Sequence, residues 1–108
     1  KMATSFVNAT SSDIAVAETT IYTVGASEKA LLIGCNAANV FGTIVPFSLI
    51  LRRSSGDTYI AKDLRVMNGE NIEVMKGRIV MVSGDQLIAT AGIDAAYDVI
   101  ASLLTGVK

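Results

Sequence analysis

The sequence predicts an all-β fold: a single antiparallel β-sandwich, jelly-roll-like, of about eight strands. Three observations carry this. Short segments rich in β-branched and aromatic residues recur along the chain, and clusters of Gly, Asn, Asp and Ser separate them at intervals of roughly eight to twelve residues. Only one segment, residues 93–104, has a competing helical reading. The length of 108 residues fits one domain with a single core.

The elements follow in order. Residues 3–16 are small and polar, interrupted by few apolar positions, and read together with their flank (residues 1–18) as an N-terminal arm or edge strand. Met2 reads as a start, with Lys1 as an extra residue ahead of it. The β-sandwich domain is placed at residues 19–108. Thr19 to Val24 is dense in β-branched residues and ends at the turn Gly25-Ala26-Ser27-Glu28-Lys29. Ala30 to Ala38 is almost continuously apolar, as for a strand buried on both faces. Thr43 to Arg53 alternates, with Phe47, Leu49 and Leu51 on one face. Pro46 requires an edge, a bulge, or pairing that starts after it, because proline donates nothing to a ladder. Thr58 to Val66 returns after the turn Ser54-Ser55-Gly56-Asp57. Lys62 interrupts its apolar face, so a bend or a snorkelling lysine is expected there. Ile72 to Met75 alternates again. Ile79–Val82 and Leu87–Thr90, joined by Ser83-Gly84-Asp85-Gln86, read as a β-hairpin with Gly84 and Asp85 as turn residues. Tyr97 to Thr105 has a period of two, with Tyr97, Val99, Ala101 and Leu103 on one side, which favours strand over helix.

Composition narrows function. Hydrophobic residues make up 51% and charged residues 18%, against a usual charged share of about 25%. Mean hydropathy is +0.50. A small domain this apolar is expected to cover part of its surface with other subunits, so a homo-oligomer is expected. The net charge of −1 gives no field to steer nucleic acid or an anionic membrane, and no apolar run approaches the roughly 18 residues of a membrane helix. With no histidine, Ser-His-Asp, Cys-His and His-zinc chemistries are excluded. The lone Cys35 cannot form an internal disulfide and reads as a small buried thiol. Catalytic, cofactor-binding and metal residues are therefore each given as none, and no cofactor is expected.

Two further readings compete. Tyr22, Tyr59 and Tyr97, with Phe6, Phe41 and Phe47, offer a platform for a carbohydrate- or ligand-binding sandwich. A carboxylate enzyme requires at least two acidic side chains converging in a pocket. Against both stands a domain that makes contacts rather than bonds. Its candidate interface comprises Phe6, Val7, Val80, Val82, Ile100 and Leu104, with Ile79 to Val82 alternating between a core side and an outward side.

Taken together, the strand Ile21-Tyr22-Thr23-Val24-Gly25-Ala26, the run Ala30-Leu31-Leu32-Ile33-Gly34 through Ala38-Asn39, the pair Gly77-Arg78-Ile79-Val80-Met81 and Ser83-Gly84-Asp85-Gln86-Leu87, and Asp98-Val99-Ile100-Ala101-Ser102 form an ordered pattern. The pattern resembles small β-sandwich virion structural proteins of tailed bacteriophages, departing from them at Gly25, where proline is usual. The resemblance covers about Thr20 to Leu104. It implies a non-enzymatic sandwich in the capsid, neck or tail, made in the host cytoplasm, with itself and other virion proteins as partners.

Overall fold

The computed structural model describes residues 4–107; positions 1–3 of the expected arm lie outside the described residues. The described residues form nine strands: β1 (Ser5–Ile14), β2 (Thr19–Thr23), β3 (Lys29–Asn39), β4 (Val45–Arg53), β5 (Gly56–Val66), β6 (Asn71–Glu73), β7 (Ile79–Val82), β8 (Gln86–Ala91) and β9 (Tyr97–Val107). The first sheet runs β1-β9-β3-β6 with β7 also on β3, and the second runs β2-β8-β4-β5. All strand pairs are antiparallel. The pairs nest as β1·β9, β2·β8, β3·(β6 and β7) and β4·β5, the double Greek key of a jelly roll. About eight strands become nine because β6 and β7 are two pieces of one partner of β3, parted after the Val74 N–H makes its bond to the Cys35 carbonyl.

The expected hairpin at residues 79–90 does not form. β7 pairs with β3 in the first sheet, whereas β8 lies between β2 and β4 in the second. Residues 83–85 instead turn a corner between the sheets. Gly84 supplies the left-handed backbone (φ +86°). Asp85 is buried rather than a solvated turn residue. Its Oδ2 accepts from the Val82 N–H and from Arg53 Nε, both at 2.9 Å, and Val24 is bonded across the corner to both Gly84 and Asp85. These long-range bonds decide the corner, since the turn chemistry alone serves either geometry.

The core is built from inward-facing residues of both sheets, including Leu32, Cys35 and Ala37 of β3, Phe47, Leu49 and Leu51 of β4, and Val99, Ala101 and Leu103 of β9. Each fully buried Leu or Phe contributes about 1.5–3 kcal/mol relative to exposure. Tyr97 packs its ring 4.8 Å from that of Phe47 and donates its hydroxyl to the Val45 carbonyl, so its one polar atom is satisfied inside the core. Residues 97–107 are strand throughout.

Pro46 fits because the β4·β8 ladder starts only at Phe47, opposite Ala91, so that at position 46 only the carbonyl is used on that side, accepting from the Gly92 N–H at 2.9 Å. At Lys62 the strand is bulged. Asp63 adopts φ +50°, and its N–H donates to Ser48 Oγ at 2.9 Å in place of a regular ladder bond.

Candidate interaction surfaces

In an antiparallel sheet, residues directly opposite share a face. The register of the first sheet therefore places Phe6 of β1, Leu104 of β9, Leu31 of β3 and Val80 of β7 in one row, since Phe6 opposes Leu104, Leu104 opposes Leu31, and Leu31 opposes Val80. Their inward neighbours Leu103, Leu32 and Met81 are buried, so the row lies on the outer face. It crosses four strands, roughly 14 Å. Phe6 is 80% exposed and Val80 57%. Val82 continues the patch two residues along β7, opposite Lys29.

The candidate interface residues thus divide. Phe6, Leu104, Val80 and Val82 come together, with Leu104 half-buried, and Leu31 joins them. Ile100 is exposed on the same face but is separated from the row by the polar pair Asn8 and Ser102, whose side chains bond at 3.1 Å. Val7 opposes the buried Leu103 and points to the inner side of the sheet.

The second sheet treats its outer face differently. Ile50 and Ile88 oppose each other there, yet they are only 6% and 1% exposed. Tyr59 stands opposite Ile50, with Lys62 Nζ 5.3 Å from its ring centroid. On the same face the Arg52 guanidinium bridges Glu18 and Asp57, each at 2.8 Å. The Arg52 hydrogen bonds hold both carboxyls below their ordinary pKa range. One sheet keeps its outer Ile50 and Ile88 buried, with Tyr59 and Arg52 on the same face; the other leaves Phe6 and Val80 open.

A third surface was not legible as a site in the sequence. The connections after β1, β3, β5 and β8 gather at one end of the sandwich, tied by bonds from Val16 N to Asp94 Oδ1, Val40 N to Ala96 O and Gly69 N to Asn39 O. They expose Val16, Val40, Phe41, Ile44, Met67 and Ile93. The buried Asn39 fixes this end: its Nδ2 donates to the carbonyls of Thr43 and Val66, and its Oδ1 accepts from the Phe41 N–H. The signal that marks it is large apolar residues inside turns, where polar ones are usual. At the opposite end the connections expose Ser27, Ser54, Ser55 and Ser83.

The readings based on chemistry can be placed too. Tyr97 is buried, and Tyr22 and Tyr59 lie on β2 and β5, opposite edges of the second sheet, so the tyrosines form no common platform. Cys35 is buried, and burial together with the nearby Glu73 charge pushes its thiol up to about 12. The Glu73 carboxylate accepts from the Cys35 N–H at 2.6 Å, satisfying the β3 edge where β6 ends. Among the described residues, no group of three or more His, Cys, Asp or Glu is placed to hold a metal ion.

No family model and no curated protein matches the chain. Among solved structures it is similar to a chain in the structure of infectious bursal disease virus Gx strain, with 16% identity and a TM-score of 0.45 over 94% of this chain and 32% of that one. A chain of the Gt strain structure gives 10% identity and a TM-score of 0.34 over 94% and 37%. The chain spans about a third of the length of these viral chains. Both structures are of infectious bursal disease virus, and neither is of a tailed bacteriophage.

Proposed function

We propose that the chain is a non-enzymatic virion structural subunit of a tailed bacteriophage, a homo-oligomer that decorates or joins capsid, neck or tail components. The observation that carries this reading is the unequal treatment of the two outer faces. A sheet that keeps Ile50 and Ile88 buried, with Tyr59 and Arg52 on the same face, shows how this sequence protects a solvent-facing surface. The open row of Phe6, Leu104, Leu31 and Val80 lacks that protection and is the contact face for another copy. The loop-end residues Val40, Phe41, Ile44 and Met67 supply a second surface, suited to other virion proteins. The β1 edge adds to this: from Ser5 to Ser12 it carries no charge and no proline, the devices that guard a strand edge.

Sedimentation of the purified chain at micromolar concentration tests the oligomer, and antibody labelling of intact particles tests the location. A concentration-independent monomer, or particles that carry none of the chain, would overturn the reading.

A further inference from the structure

On the side of the sandwich away from β1, the edges of the two sheets meet at a groove of about 420 Å³. One wall is β5, through Ile60 and Leu64. The other is the connection between β6 and β7, through Val74 and Met75, together with Ile79 at the start of β7. Lys62, Lys76 and Arg78 line it as well. The described ion pairs engage only Arg52 and Arg53, so among the described residues none of these three cations has a carboxylate partner. Glu73, next to the groove in sequence, is turned to the Cys35 N–H, and Asp63 is not among the lining residues.

The complementary chemistry lies at the opposite edge. Where β1 ends, Asp98 Oδ1 accepts from the Asp13 N–H at 3.2 Å and Asp94 Oδ1 accepts from the Val16 N–H at 3.0 Å. These bonds gather Asp13, Asp94 and Asp98 into one corner beside the exposed Val16 and Ile93. Among the described residues the three carboxylates face no cation partner. With the Lys62 ammonium over the Tyr59 ring, one edge is thus apolar with the cations of Lys76 and Arg78 free of carboxylates among the described residues, and the other apolar with three carboxylates free of cations.

We propose that the acidic corner of one copy docks in the basic groove of the next, with Val16 and Ile93 against the apolar walls and the carboxylates of Asp94 and Asp98 against Lys76 and Arg78. The occupant is a second copy because the chain itself carries the matching surface. The contact is heterologous, joining different patches of the two copies, so it propagates into a ring or an open filament rather than stopping at a dimer. It rests on the reading that copies assemble, and it is distinct from the outer-face contact through Val80.

Sedimentation velocity across a salt titration tests it. In wild type, association through the groove weakens as salt rises. The variant K76E/R78E, altered only at exposed positions, is expected to keep its melting temperature and to associate about tenfold or more weakly. Mixing it with D94K/D98K is expected to restore propagation as an alternating copolymer, because the wild-type pair of surfaces and the charge-swapped pair are both complementary between the two variants while neither variant pairs with itself. Combining all four substitutions in one chain is expected to restore propagation. Should a corner variant fail to fold, K76E/R78E and the salt titration still decide the matter. Unchanged association in K76E/R78E overturns the groove contact. If V80D then abolishes assembly, the homo-oligomer reading survives that result; if wild type is a monomer, both fall.

Discussion

Replacing Asn39 with leucine keeps the branched heavy-atom shape of the side chain while removing three hydrogen bonds, at 2.9 Å to Thr43 O, 2.8 Å to Val66 O and 2.8 Å from Phe41 N. A net contribution of about 1 kcal/mol for each bond gives about 3 kcal/mol. The Val66 carbonyl is in the interior and loses its side-chain partner outright, whereas the Phe41 amide and Thr43 carbonyl are nearer solvent and recover part of the loss. The destabilisation is therefore expected at roughly 2–4 kcal/mol. At about 4–8 °C per kcal/mol, the melting temperature falls by roughly 10–30 °C. Urea denaturation followed by circular dichroism measures the change, and the slope against urea should stay constant. Hydrogen exchange at the 39–44 and 66–70 loops should rise more than at β9, since Asn39 joins those loops. A loss below about 1 kcal/mol would refute the view that this one buried amide organises the apolar end.

Two other outcomes follow from the interior. The Cys35 thiol, held protonated by burial and by Glu73 to about pH 12, ionises near pH 8.5 when unfolded. Above that pH the unfolded chain has released a proton the folded chain retains. Stability is therefore full below about pH 8.5 and falls by about 1.4 kcal/mol per pH unit above it; C35A should flatten this dependence in pH-resolved urea melts, and an unchanged slope would contradict it. Gly92→Ala would place a methyl 2.9 Å from Pro46 Cδ. The ring cannot swing aside, so the strand end must shift, at a cost of about 1–3 kcal/mol by thermal denaturation; a neutral result would mean the connection has room to spare.

The strands were largely legible because their signals are local: β-branched runs, a period of two, and glycine or asparagine turns. Pro46 even marked where β4 meets its second neighbour. Pairing was less so. Ser83 to Gln86 carries the chemistry of a tight reversal, which serves a hairpin and a corner between sheets equally, and the choice rests on Arg53 and Val24, tens of residues away. Faces were legible once strands were placed, so Val80 and Val82 were assigned outward and Met81 inward. Alternation assigns opposite faces to Phe6 and Val7, and only the pairing with Leu103 tells that Val7, though exposed, is on the inner side. Leu31 was hidden inside a run that looked buried on both sides. The convergence of Val40, Phe41, Ile44 and Met67 depends on the jelly-roll order, which no local pattern encodes.

The outer row of the first sheet is tested most directly by comparing neighbours on β7. Val80 points outward and is 57% exposed, while Met81, one residue on, is fully buried. Sedimentation and thermal melting of V80D and M81D should separate the two faces. The expected result is that V80D melts near wild type but sediments as a smaller species, whereas M81D fails to fold because a carboxylate replaces core volume. A V80D chain that assembles as wild type does would contradict the assignment of this face to the subunit contact.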